Sequence, residues 1–166
     1  MKNLVAIPVL ALALMIQMAV ISRITLLSGV ADLILLILVA WALQEQVESA
    51  WHWAVLAGLL VGAISAAPPA APIVGYLLAV AFARFIIRQI WQTPILALFS
   101  VTFFSTLMYH LVTYLILSLA GTSLPFEDAL ALIVLPSVFL NLLLAIPVHS
   151  LIRDLALWVY PPEELI

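Results

Sequence analysis

The residues that could carry chemistry are few in this chain, and their spacing fits no catalytic or metal-binding motif. His52, His110 and His149 show neither H-x-x-x-H nor H-x-x-E spacing, so we predict no metal site. The chain contains no cysteine, which excludes disulfides, thiolate metal sites and thiol redox chemistry. It also has no Gly-rich phosphate loop and no serine in a G-x-S-x-G setting. We therefore predict no enzymatic activity and no cofactor.

Asp32 is the acidic residue closest to the interior of a predicted membrane span. It follows Ser28 and Gly29 at the start of the second apolar run, where a carboxylate suits the positive end of a helix. We expect a structural role for Asp32, with Arg23 as its ionic partner across the same loop. A proton relay is the alternative, but it needs further acids or a histidine at depth, and the sequence indicates none.

A polar stripe follows one arc of the fifth apolar run, with His110 and Tyr114 at its edge. Polar side chains inside lipid must face protein or a water-filled cavity. One interpretation is that the hydroxyls bond to their own i−4 carbonyls and to a neighbouring helix. The other is a solute pocket like that of a small transporter. The stripe comprises Thr102, Ser105, Thr106, Tyr109 and Thr113.

Small residues recur at four-residue spacing in the third and fourth apolar runs. Such stripes let helix backbones approach closely in lipid. One interpretation is internal packing of these two neighbouring helices, and the other is a docking face for a transmembrane helix of another protein. The third run contributes Ala54, Gly58, Gly62 and Ala66, and the fourth contributes Gly75, Ala79 and Ala83.

The last apolar run contains two prolines and an asparagine between them. Pro136 and Pro147 each free a backbone carbonyl, so we expect a kinked helix whose neighbours satisfy the freed groups. Asn141 is costly in lipid unless it bonds across helices. We therefore predict a structural hydrogen bond for Asn141.

These residues lie in a chain whose composition is that of an integral membrane protein. Of its 166 residues 67% are hydrophobic and only 8% are charged, whereas a soluble domain carries roughly 25% charged residues. The net charge of −3 offers no basic surface for nucleic acid. We predict an all-α polytopic bundle in a single domain, residues 1–166, with its first helix retained and not cleaved as a signal. Its six short spans lie near 4–21, 29–44, 51–66, 72–88, 95–119 and 129–152.

The second and third spans are the shortest of the six. At 1.5 Å per residue they reach only about 21–24 Å, against a hydrocarbon core about 30 Å thick. Either they extend into their flanks, the bilayer thins, or one of them is re-entrant. The positive-inside rule favours cytoplasmic termini, with Arg23 as the only basic residue on the outer side. The inner side then carries Lys2, Arg84, Arg88 and Arg153.

The closing run resembles the last helix of the MreD family of bacterial rod-shape-determining membrane proteins. In residues 135–155 (LPSVFLNLLLAIPVHSLIRDL) a Pro, an Asn five residues later, a second Pro and a basic residue follow the family pattern. Gln17, Asp32 and residues 56–65 fit the same template. The chain departs from it at Ala31, where the family often has proline, at Gly62, often an acid, and at Ala66, often glycine.

The resemblance implies a function in cell elongation at the bacterial cytoplasmic (inner) membrane. A member of this family is a non-enzymatic scaffold or regulator that binds MreC, and it supports lateral peptidoglycan synthesis and rod shape. Its indirect partners are MreB, RodA and a class B penicillin-binding transpeptidase. The family's helical arrangement is similar to that of the S components of energy-coupling-factor transporters. A solute-binding membrane subunit of that kind is therefore the alternative.

Overall fold

The computed structural model describes residues 2–89, 94–122 and 124–161, and most of them are helical. A short two-stranded hairpin connects the first two helices, and short 3-10 turns at Lys2–Val5 and Ile21–Arg23 flank the first helix. The helices are α1 (Ala6–Ala19), α2 (Leu33–Ala42), α3 (Ala50–Ile64), α4 (Ala70–Ile87), α5 (Pro94–Leu119), α6 (Phe126–Asp128) and α7 (Leu135–Val159), and the strands are β1 (Thr25–Leu26) and β2 (Gly29–Val30).

Helix α2 is the centre of the bundle. Its sequence is apolar all round, which is typical of a helix buried on every side, and each residue from Ile34 to Ala42 is buried. It contacts α1, α3, α4, α5 and α7. Ten residues give α2 a length of about 15 Å, half the thickness of a hydrocarbon core. The second predicted span, 29–44, is therefore a half-length helix preceded by the hairpin.

The outer helices turn apolar side chains away from this core. Large hydrophobic residues are exposed on every long helix, as expected where lipid is the solvent. Four helical segments are long and apolar enough to cross a membrane: Ala6–Arg23, Ala70–Ile87, Ile95–Leu119 and Phe126–Val159. The apolar helices α2 and α3 are shorter. The predicted all-α polytopic membrane fold is confirmed, whereas the hairpin was not predicted.

The last segment, Phe126–Val159, is helical throughout, and its start is irregular. A π-helical stretch, Ala129–Val134, joins α6 to α7. Pro136 lies in the first turn of α7, and Pro147 lies inside that helix on an exposed face. Because Pro136 has no N–H, the carbonyl of Leu132 four residues earlier is free for another donor. The hairpin supplies that donor.

Candidate functional site

Asp32 is the N-cap of α2. Its Oδ1 accepts a hydrogen bond from the backbone N–H of Leu35 at 2.9 Å, and its carbonyl oxygen accepts from the N–H of Leu36 at 3.1 Å. The first turn of a helix has N–H groups without intrahelical partners. Because this turn lies inside the bundle, where water cannot satisfy them, the cap is a requirement of the fold.

Gln17 of α1 holds the backbone on both sides of Asp32. Its Nε2 donates to the carbonyl of Ala31 and its Oε1 accepts from the N–H of Leu33, both at 2.8 Å. The amide of Gln17 therefore pairs with this segment as a neighbouring strand would. The sequence drew attention to Gln17 only through the family resemblance, because a lone glutamine in an apolar helix does not indicate its partner.

Asn141 of α7 joins Asp32 to α5. Its Oδ1 accepts from the backbone N–H of Asp32 at 2.8 Å, and its Nδ2 donates to Oγ1 of Thr106 at 3.0 Å. The Thr106 hydroxyl in turn donates to the carbonyl of Thr102 at 2.7 Å. Thr106 lies near the midpoint of α5, and Asn141 lies near the midpoint of the helical segment Phe126–Val159. Asp32 therefore lies about halfway along the long helices, away from both ends of the bundle.

The hairpin is fastened to the irregular start of α7. The N–H of Ser28 donates to the freed carbonyl of Leu132 at 2.9 Å, and the N–H of Val30 donates to Oγ of Ser137 at 3.1 Å. Between them, a Cβ on Gly29 would come within 2.7 Å of the Ile133 carbonyl oxygen. Glycine therefore allows the two backbones to touch. Pro136 thus creates an acceptor for the hairpin.

Two tyrosines complete the surroundings of the carboxylate. The hydroxyl of Tyr76 donates to Asp32, with its oxygen 3.0 Å from Oδ2 and 3.3 Å from Oδ1. The Tyr76 ring stacks on that of Tyr109, with centroids 5.0 Å apart. Tyr109 fits only because residue 75 is glycine: a Cβ there would lie 2.5 Å from its ring.

A cavity of about 270 Å³ lies over the N-terminal end of α2. Asp32, Gln17 and Tyr109 are partly accessible beside it, whereas Tyr76 is almost fully buried. Exposed Met18, Ile64 and Ser65 lie at the ends of α1 and α3. The other lining residues are Leu14, Val30, Ala31, Ile34, Val61 and His110.

Two expectations about Asp32 were wrong. Arg23 is exposed at the end of a 3-10 turn, and Asp32 has Tyr76 as its partner, because the hairpin carries the chain inward between the two residues. The sequence also indicated no histidine near Asp32, yet His110 lines the same cavity. Its ring packs edge-on against Tyr109, with centroids 5.7 Å apart. The position of His110 at the edge of the polar stripe was the one sequence feature that could have indicated its place in this cavity.

The polar stripe of α5 is divided between helix contacts and the cavity. Thr102, Ser105 and Thr106 are buried against neighbouring helices, and within the described residues the hydroxyls of Thr102 and Ser105 donate to no acceptor. Thr113 donates to the carbonyl of Tyr109 at 2.8 Å, an i−4 bond within the helix. Of the stripe only Tyr109 lines the cavity.

The small-residue stripes lie inside the bundle. A Cβ on Gly58 would come within 2.7 Å of the backbone of Ile73, and one on Gly62 within 3.2 Å of Pro69. These contacts join α3 to α4 across the proline turn. Of the other stripe positions, Ala54, Ala79 and Ala83 are fully buried, Gly75 packs against α5, and only Ala66 is exposed.

A second polar cluster lies at the opposite end of α2. The guanidinium of Arg84 donates to the carbonyls of Ala42 (3.3 Å), Gln44 (3.2 Å) and Val47. It therefore satisfies carbonyls where α2 ends, which a helix C-terminus requires. Arg84, Arg88 and Glu45 line a separate cavity of about 250 Å³.

The arrangement is suited to holding helices together and to contacting a small molecule. In the part of the chain that the structure describes, no three His, Asp or Glu residues are grouped so as to bind a metal. The only ion pair between described side chains joins exposed Arg153 and Asp154 at 3.5 Å. No family model, no curated protein and no solved structure matches this chain.

Proposed function

We propose that this protein is a non-enzymatic membrane scaffold of the MreD type. In this proposal it holds the single transmembrane helix of MreC at the bacterial cytoplasmic membrane. Through MreC it supports lateral peptidoglycan synthesis by MreB, RodA and a class B penicillin-binding transpeptidase.

The observation that carries the proposal is the convergence of four of the residues behind the resemblance. Gln17, Asp32, Pro136 and Asn141 are far apart in sequence, yet all four belong to the contacts around the N-terminus of α2. A chance likeness between apolar sequences gives no reason for these four residues to lie close together in the structure. The convergence supports a shared fold with the MreD family, and the function follows from that likeness.

A partner helix would have to contact the lipid-facing side chains. Gly58, Gly62 and Gly75 already touch neighbours inside the bundle, so a bulky residue there would disturb the fold before it disturbed binding. Exposed apolar residues are available on each long helix, for example Leu12, Leu59, Phe85, Leu111 and Leu143.

Co-purification with MreC from the same organism tests the proposal. The chain has no cysteine, so single cysteines at those five positions can be crosslinked in the membrane to cysteines placed along the MreC helix. We expect co-purification, with crosslinks confined to one or two adjacent helices. Absence of both co-purification and crosslinks would refute the scaffold function, and equal crosslinking at all five positions would indicate non-specific collision.

A solute-binding subunit is the second candidate function, and the cavity at Asp32 favours it. A volume of about 270 Å³ lies just below the usual range of small-molecule sites, roughly 300–1,000 Å³. Native mass spectrometry of the protein released from detergent tests this function. We expect a reproducible adduct of small mass that is lost when Val61→Phe, a larger side chain on the cavity wall, fills the cavity. If neither protein carries an adduct, this second function fails and the scaffold proposal is unaffected.

A further inference from the structure

We infer that the cavity at the N-terminus of α2 binds a small organic ammonium ion with an apolar body. This inference deepens the second candidate function and rests on it. It follows from what each wall of the cavity offers to a ligand.

The carboxylate of Asp32 has capacity left for a donor. Three donors of the protein face it: the N–H groups of Leu35 and Ile34, and the Tyr76 hydroxyl, which lies between Oδ1 and Oδ2. An ionised carboxylate offers about four acceptor positions. No Lys, Arg or His nitrogen among the described residues lies within 4 Å of either oxygen, since the one ion pair there is Arg153–Asp154. The Asp32 side of the cavity therefore favours a ligand group that donates hydrogen bonds and carries positive charge.

The backbone donors at the same helix end are already engaged. The N–H groups of Leu33, Leu35 and Leu36 are taken by Gln17 and Asp32, and the N–H of Ile34 also interacts with the Asp32 carboxylate. The helix dipole offsets roughly half of one negative charge. The remaining negative charge belongs to Asp32, so the polar wall favours a cation over a phosphate or carboxylate.

The other walls are aromatic and apolar. Tyr76, Tyr109 and His110 stand side by side, with Tyr109 stacked on one ring and edge-on to the other. Aromatic rings attract ammonium groups. Leu14, Met18, Ile34, Val61 and Ile64 add aliphatic surface. A bare metal ion would leave this surface unused, whereas an alkyl or aryl ammonium ion covers it.

Binding of two matched probes to the purified protein tests the inference. The probes are 2-phenylethylamine, protonated at pH 7, and 2-phenylethanol, which has nearly the same shape without the charge. Affinities are measured by isothermal titration calorimetry in detergent free of aminophospholipid. We expect the amine to bind the native protein at least tenfold more tightly than the alcohol. Equal affinities would overturn the inference without any variant being needed.

Asp32→Asn is the matching variant, because asparagine also caps helices and removes the charge while keeping one acceptor oxygen for the cap. We expect this variant to bind the amine and the alcohol equally, and Glu127→Gln, which neutralises an exposed acid on α6, to keep the native preference. Retained preference in Asp32→Asn would overturn the inference. In native mass spectrometry, an adduct identified as neutral or anionic would leave solute binding standing and exclude the ammonium ligand. Repeating the titration with ethanolamine phospholipid added shows whether a lipid headgroup competes for the same site.

Discussion

The side chain of Asn141 connects three parts of the chain by hydrogen bonds. It accepts from the backbone of Asp32 and donates to Thr106, so it joins the start of α2 to α5 and α7. The sequence predicted a hydrogen bond across helices for this residue, because an unpaired amide is costly in lipid. Its partners could not be predicted, because one of them lies 109 residues away and is a backbone group.

Replacing Asn141 with alanine leaves the N–H of Asp32 without an acceptor inside the bundle. We expect Asn141→Ala to lower the free energy of unfolding by about 1–3 kcal/mol, the cost of an unsatisfied buried group. Unfolding in mixed dodecylmaltoside and SDS micelles, followed by tryptophan fluorescence, measures it. Thr113→Ala is the control, because that hydroxyl bonds only to its own helix, and its cost is expected to stay below about 0.6 kcal/mol. Equal losses in the two variants would contradict this account of Asn141.

The pair α3 and α4 shows how element packing depends on single methyl groups. Gly58 faces the backbone of Ile73 and Gly62 faces Pro69, and the space left for a Cβ differs between them, 2.7 Å against 3.2 Å. The four-residue spacing predicted a smooth face and left open what covers it. Sequence alone cannot decide between an internal and an external neighbour, because both need the same small residues.

Gly58→Ala and Gly62→Ala should therefore differ in their effect on stability. At Gly58 the backbone of α4 must move, so we expect a loss of about 1–3 kcal/mol. At Gly62 a shift of a few tenths of an ångström suffices, and the loss should be under half as large. The same micelle unfolding measures both. A larger loss at Gly62 would contradict the packing of these two helices.

The hairpin and α7 form a second pair of elements joined by backbone contact. Gly29→Ala would place a Cβ within 2.7 Å of atoms of Ile133, Pro136 and Ser137. We expect the hairpin to leave α7, so that the amide protons of Ser28 and Val30 exchange with solvent at least tenfold faster in hydrogen-exchange mass spectrometry. Thr113→Ala is the control, since that hydroxyl bonds only within α5. Unchanged exchange in Gly29→Ala would show that the hairpin is held by other contacts.

Viewed as a whole, the molecule has two chemically different ends. Arg84 and Arg88 lie at one end with the loop that follows α2, whereas the hairpin, Arg23 and the acids of α6 lie at the other. Charge spacing divided the sequence into six apolar runs, because charges are costly in lipid and mark helix ends, and each run overlaps a helix of the structure. The short second run indicated a short helix but left open whether it crosses the membrane. That α2 starts near the middle of the bundle could not be predicted, since an apolar run looks the same in a core as in a bilayer.

Orientation in the membrane is accessible to thiol labelling, because the chain has no cysteine of its own. If both termini are cytoplasmic, Glu127→Cys on α6 should react with a membrane-impermeant maleimide in intact spheroplasts. Glu45→Cys should react only after the membrane is broken. Both positions are exposed in the structure. The reverse pattern would place the Arg84 end outside and contradict the positive-inside assignment.

The bonds between the hairpin, Asp32 and α7 also set an order of events during biogenesis. Val30 and Asp32 meet acceptors 107 and 109 residues later in the chain. At synthesis rates of roughly 5–20 residues per second, those acceptors emerge on the order of 5–20 s after their donors. Until then the amide of Asp32 must stay in contact with water or with the insertion machinery. The last helix therefore completes the bundle, and a chain that ends before residue 126 lacks the acceptors for Ser28, Val30 and Asp32.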